Sequence, residues 1–269
     1  MEKRKESLQL LLNFVLKELH NFEKRFCEYL RHNIFQDYRQ GLNTQYLLNA
    51  VNLLSRLTNF TDTIYTDINQ IVSRPENFAP ILKKGYKLAN EFVDLKNVHI
   101  LSFNYTALFD ILLVDAPCSY NNVHGKLCNR ECCFCSESNL IFGVDDSLIQ
   151  SQTENSELRL FSKTYRKMLD TAPPAKILPT NNVPVTIKFY GHSLSKADYS
   201  YFQSIFDYYN LYGNNNVDLV FYYSKGYEQT DAIYALINSY GKTLNNSDQG
   251  KNLMHKLLLE NRLRIIEID

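Results

Sequence analysis

Glycine is scarce where a nucleotide-binding chain would use it. The 269 residues hold nine glycines, at 41, 85, 125, 143, 191, 213, 226, 241 and 250, and the closest two are nine positions apart. No G-x-G exists. A glycine-rich loop presenting backbone amides to a pyrophosphate in the usual way is therefore excluded. Net charge is also missing: 29 basic side chains balance 29 acidic ones. Nonspecific DNA or RNA binding leaves a basic footprint, and none shows; the short run MEKRK at residues 1–5 reads as a solvated terminus. A long uncharged apolar run is lacking as well. The first candidate, LQLLLNFVLKELHNF, carries Lys17 and Glu18 in its middle and no small-residue cleavage site. It suits neither a membrane span nor a signal peptide, so a cytoplasmic chain is expected. In that compartment the six cysteines are thiols or metal ligands rather than disulfides.

What is present is an ordinary globular composition, 45% hydrophobic and 22% charged. Leu8, Leu12, Val15, Leu19, Phe22, Phe26 and Tyr29 recur at alternating steps of four and three. That spacing predicts one long amphipathic helix. Its stripe serves either as a helix laid on its own domain or as a docking surface, over residues 8–29, for a second copy or another partner chain. Further helical patterns cover 46–57, 64–72 and 81–95.

The texture changes at residue 98. VHILSFNY (98–105), NLIFGV (139–144), VTIKFYG (185–191), VDLVFYYS (217–224) and LRIIEI (263–268) are short apolar runs that read as buried strands. Helical patterns fall between them at 106–114, 156–170, 198–212, 229–240 and 250–261. Strands alternating with helices predict an α/β fold with a parallel sheet covered on both faces. Two regions are expected: a helical part, 1–95, and an α/β part, 96–269, with a cysteine-rich loop at 118–135.

Ligands of open parallel sheets sit beyond the carboxyl ends of the strands. The residues there read Asn104-Tyr105-Thr106, Gly143-Val144-Asp145-Asp146, Gly191-His192-Ser193-Leu194 and Ser224-Lys225-Gly226. Thr106, Gly191, His192, Ser193, Asp198 and Ser224 are the candidate cofactor contacts. The segment GHSLSKAD reads equally as a strand-to-helix turn, with Ser195 placed to cap the helix that Asp198 begins. Ser193 is no hydrolase nucleophile, because GHSLS lacks the second glycine of a nucleophile elbow.

Cys128 and the cluster Cys132-Cys133-Phe134-Cys135 contain one C-x-x-C, with Cys118 ten positions upstream. Cys118, Cys128, Cys132 and Cys135 would supply the four soft ligands of a structural zinc, leaving Cys133 spare. A second C-x-x-C is absent, so free loop thiols and redox pairing stand beside the zinc reading.

The ordered set FNYT (103–106), VHGKL (123–127), LIFGVDD (140–146), FSKTYRKML (161–169) and FYGHSLSKADYSYF (189–202) resembles the AbiH family of abortive-infection phage-defence proteins. That family is itself similar to sirtuin-like, NAD-binding domains. The resemblance implies a Rossmann-like nucleotide-binding fold. It assigns Asn104 and His124 to the asparagine and histidine that flank the nicotinamide ribose of NAD. A neutral imidazole accepts a proton from water or a ribose hydroxyl, and an amide orients that group. Gly191 and Ser193 would line the adenine-side ribose or the phosphates. The chain departs from the pattern twice. The family's opening strand and its glycine-bearing loop are missing, and Thr106 stands where an aspartate is common, with Asp110 the nearest acid. Two functions follow: an NAD hydrolase, or a noncatalytic defence component that binds a nucleotide or a partner.

Overall fold

The computed structural model describes residues 2–35, 98–105, 119–125, 127, 140–146, 149, 156–169, 178 and 184–268. The helices expected at 46–57, 64–72, 81–95 and 106–114 lie outside the described residues. So do Thr106, Asp110, Cys118, Cys128, Cys132, Cys133 and Cys135. The chain is a mixed α/β protein with small parallel sheets, and it divides into two compact units. One is Met1–Gly143 with Asn155–Ile177; the other is Val144–Glu154 with Leu178–Asp269.

In the first unit the long helix is α1, Glu2–Leu30, continued by a π-type turn over Arg31–Phe35. Phe26, Cys27 and Leu30 on its inner face pack with Tyr105, Leu127 and Leu140. Strands β1 (His99–Ser102) and β2 (Ser119–Asn122) pair in parallel. β2 was not visible in the sequence: SYNN has the serine and asparagine content of a turn and little intrinsic preference for a strand. A 3-10 turn, Ser156–Phe161, leads into α2, Lys163–Met168. Ser162 separates them, and its side chain accepts from the Tyr165 amide and caps α2.

The strand expected at NLIFGV is corrected. Residues 140–143 form none, and Val144 makes only an isolated bridge. The backbone groups of this stretch are engaged elsewhere. Ile141 N–H donates to the His124 carbonyl at 3.0 Å. Phe142 N–H donates to Glu23 Oε1 at 2.8 Å, and the Phe142 carbonyl accepts from Arg166 at 2.6 Å. Arg166 also forks onto both carboxylate oxygens of Glu23, at 2.6 and 2.8 Å. A mostly buried ion pair thus does for this segment what a neighbouring strand would do.

The second unit holds a parallel sheet ordered β3 (Val185–Tyr190), β4 (Val217–Tyr223), β5 (Leu263–Glu267). β4 is central: Val217, Leu219, Val220 and Phe221 are buried. Helix α3 (Tyr199–Tyr208) joins β3 to β4, and α4 (Thr230–Gly241) and α5 (Ser247–Leu259) join β4 to β5. Both crossovers step the same way along the sheet, which brings their helices to one face. Ring contacts agree. Phe189 on β3 meets Phe202 and Phe206 of α3 edge-on, and Phe206 meets Tyr240 of α4. Asn246 caps α5 by accepting from the amides of Asp248 and Gln249. Arg262 is buried and donates to the carbonyls of Val217 and Leu211 at 2.8 and 2.5 Å, closing the entry to β4.

Candidate functional site

The first unit places Asn104 and His124 by strand register. β1 and β2 pair residue n with residue n + 20, ending at Ser102↔Asn122. Asn104 and His124 are each two positions beyond that last pair, so they occupy equivalent places past the carboxyl ends of two adjacent strands. Backbone pairing carries on past the strands: Val123 N–H donates to Ser102 O at 2.8 Å, and Leu127 N–H to Tyr105 O at 3.0 Å. Gly125 turns the chain at φ +79°, a conformation that L side chains rarely adopt.

Asn122 is the residue that sequence reasoning missed. It is buried, and its amide Nδ2 donates to the Asn104 carbonyl at 2.7 Å, clamping the end of β1 to the turn that carries His124. The doublet Asn121-Asn122 before VHG was the available signal, but its partner is 18 residues away. The Asn104 side chain is exposed, while His124 is only 3% exposed. Phe103 stands edge-on to the imidazole at 5.6 Å, and Tyr105 lies tilted to it at 6.2 Å. Tyr105 is fixed in turn by stacking on Phe142 and by donating to the Ile141 carbonyl. The arrangement is a histidine held by aromatic walls, with an exposed asparagine at the matching place past the neighbouring strand.

Among the described residues no group of three or more His, Cys, Asp or Glu side chains is placed to hold a metal ion. No described helix is long and apolar enough to cross a membrane. Residues 11–223 match the family model described as Bacteriophage abortive infection AbiH. The chain belongs to the AbiH family. No curated protein and no solved structure matches it.

The second unit of this AbiH protein carries the remaining described candidates. Gly191 and His192 follow β3, and Ser224 follows β4. The β3–β4 register, Tyr190↔Tyr222, sets His192 and Ser224 at equivalent places. Gly191 is left-handed at φ +66°, with open space where a Cβ would sit. Leu194 N–H donates to His192 Nδ1 at 2.8 Å, so Nε2 carries the proton and faces Asp198 Oδ2 at 3.3 Å. Both ring nitrogens are engaged, and the ring packs edge-on to Phe202 at 5.0 Å. His192 therefore holds the turn. Ser193 is exposed and Ser224 half-buried.

The expected cap by Ser195 is corrected. Ser195 and Asp198 occupy cap positions, but neither makes a side-chain cap bond. Ser195 is exposed, and Asp198 faces His192. Asp145 does the work instead, accepting from the Ser200 amide at 3.2 Å and its hydroxyl at 2.7 Å. The nearby Tyr201 phenol is pushed up to about 12, first by burial and then by Asp198, Asp145 and Asp146. A depression of ≈ 240 Å³, counted with the solvent above it, opens at the strand ends between Tyr190, Gly191, His192, Tyr222, Tyr223 and Gln229.

Proposed function

We propose that this AbiH protein acts in phage defence by hydrolysing NAD at the bond between nicotinamide and ribose, on a sirtuin-like fold, with Asn104 and His124 as the reacting pair. One observation carries the reading: the n + 20 register sets these two residues at matching places past adjacent parallel strands. In the proposed step the nicotinamide–ribose bond breaks and its electron pair leaves with nicotinamide. Water adds to the ribose carbon, and its proton passes to the His124 imidazole and then to solvent. The products are nicotinamide, ADP-ribose and one proton. Asn104 orients the water or the neighbouring ribose hydroxyl. Asn122 acts through Asn104 as a positioning residue. A structural zinc on Cys118, Cys128, Cys132 and Cys135 belongs to the same proposal on the sequence alone.

A second reading is favoured by the burial of His124 and by the absence of any G-x-G. Here the chain binds a nucleotide or a partner without turnover. The two separate in one experiment. Purified protein is incubated with NAD, alone and with lysate of phage-infected cells, and free nicotinamide is measured beside NAD binding by calorimetry. The enzyme reading expects release by wild type and at least about a hundredfold less by His124→Ala. Equal release by both proteins ends it. NAD binding without release establishes the second reading.

A further inference from the structure

The candidate pair is held by α1 as well as by its two strands. Tyr105 follows Asn104 in the chain and grips the turn that carries His124 in two places. Its carbonyl accepts from Leu127 N–H at 3.0 Å, and its hydroxyl donates to the Ile141 carbonyl at 3.3 Å. Ile141 in turn donates its N–H to the His124 carbonyl. The Tyr105 ring lies 6.2 Å from the imidazole, tilted at 41°. Whatever fixes that ring fixes one wall of His124.

Two other rings fix it. Phe142 stacks on Tyr105 at 4.7 Å and 23°. Phe26 of α1 stands edge-on to both, at 5.7 Å and 79° to Tyr105 and at 5.2 Å and 90° to Phe142. Edge against face is a favoured arrangement of aromatic rings, and each such pair shifts an equilibrium by up to about tenfold. The helix is itself secured at this point: Cys27 and Leu30 pack with Leu127 and Leu140, and Glu23 accepts from the Phe142 amide. Phe22, one turn earlier, supplies the contrast. Its ring meets Phe142 and Phe26 and, among the described residues, makes no ring contact with Tyr105.

We infer that Phe26 is a positioning residue for the candidate pair: acting through Tyr105, it holds the imidazole of His124 in place. Its part in turnover rests on the reading of Asn104 and His124 as the reacting pair; its hold on His124 does not.

The test reads His124 directly, by the rate at which diethyl pyrocarbonate carbethoxylates it in the full chain, followed by peptide mass. Wild type is expected to react slowly at His124, which is buried, and fast at the exposed His20 of α1. Phe26→Leu keeps an apolar side chain and removes the ring, so it should raise the His124 rate at least about tenfold and leave His20 unchanged. Tyr105→Leu should do the same, and the double variant should exceed Tyr105→Leu by no more than about twofold, because one contact cannot be lost twice. Phe22→Leu should stay within about twofold of wild type. Thermal unfolding verifies that each variant is folded, and Phe26→Met repeats the loss of the ring if the leucine variant is not. Where wild type releases nicotinamide, Phe26→Leu should lower kcat about tenfold with KM little changed, and an unchanged kcat overturns the part in turnover. If wild type releases none, the reading of the pair fails while the carbethoxylation comparison still stands. A His124 rate in Phe26→Leu no faster than in wild type, or an equal rise in Phe22→Leu, overturns the inference.

Discussion

Gly241 and Gly250 invert the usual expectation for glycine in a helix. Gly241 ends α4 and Gly250 lies in the first turn of α5. Alanine in a helix is normally better than glycine by about 0.5–1 kcal/mol, so either Gly→Ala change would be expected to stabilise. Here the two backbones touch. A Cβ on Gly241 would stand 2.5 Å from the Gly250 carbonyl oxygen and 3.2 Å from its carbon. A Cβ on Gly250 would stand 2.9 Å from the Gly241 carbonyl carbon and closer still to its oxygen. A relaxed carbon–oxygen contact needs about 3.3 Å. The obstacle is main chain, not the end of a flexible side chain, so the helices must separate. Overpacking of this kind costs about 1–3 kcal/mol. With the propensity gain subtracted, each alanine variant should lose about 0.5–2 kcal/mol, Gly250→Ala the more. Once one helix has moved, the second methyl meets less resistance, so the double variant should lose less than the sum. Urea unfolding followed by far-ultraviolet circular dichroism reads this as a lower midpoint at constant slope. An alanine variant as stable as wild type, or more stable, would refute the close approach.

Two other perturbations test separate parts of the molecule. Glu23→Ala leaves Arg166 and the Phe142 amide without their carboxylate and should cost about 3–5 kcal/mol, whereas replacing Glu23 and Arg166 together with methionine should cost less; a urea midpoint unchanged by Glu23→Ala would remove the pair from the stability of the first unit. The raised Tyr201 predicts an alkaline limb: its folded pKa of about 12 lies above the unfolded value, so its contribution is complete below pH ~10 and is lost as pH rises from there to about 12. Absorbance at 295 nm should show a late-ionising tyrosine that Tyr201→Phe removes and that Asp198→Asn shifts downward; a Phe variant with an unchanged titration would contradict this.

The elements legible in the sequence were those whose pattern coincides with their burial. VTIKFY and VDLVFYY are rich in β-branched and aromatic residues, and both are strands of the second sheet. The apolar repeat of α1 gave the helix, because the same stripe that is periodic supplies Phe26 to the core. SYNN failed the test of composition, yet it pairs with β1 residue for residue. NLIFGV passed that test and is no strand, since pattern reports which side chains seek burial, not which backbone groups have a partner. The candidate pair was legible only through the order of motifs. Its geometric basis, a register of twenty, depends on a strand that composition hides.

The residues that composition could not place share one task. Glu23 takes the Phe142 amide, Asn122 donates to the Asn104 carbonyl, Asp145 takes the Ser200 amide, and Arg262 donates to the carbonyls of Leu211 and Val217. All four are buried. Each satisfies a main-chain group at an irregular stretch or an element end, where neither helix nor sheet supplies a partner, and a buried main-chain group without one costs about 1–3 kcal/mol. Except for Asn122, their main-chain partners are 45 to 119 residues away. In a periodic reading such residues count only as polar interruptions. Two of these contacts bear on the candidate pair: Asn122 holds the strand end that bears Asn104, and Glu23 anchors the segment whose Ile141 amide meets the His124 carbonyl. The placement of the pair therefore rests on distant buried polar contacts as much as on the strands themselves.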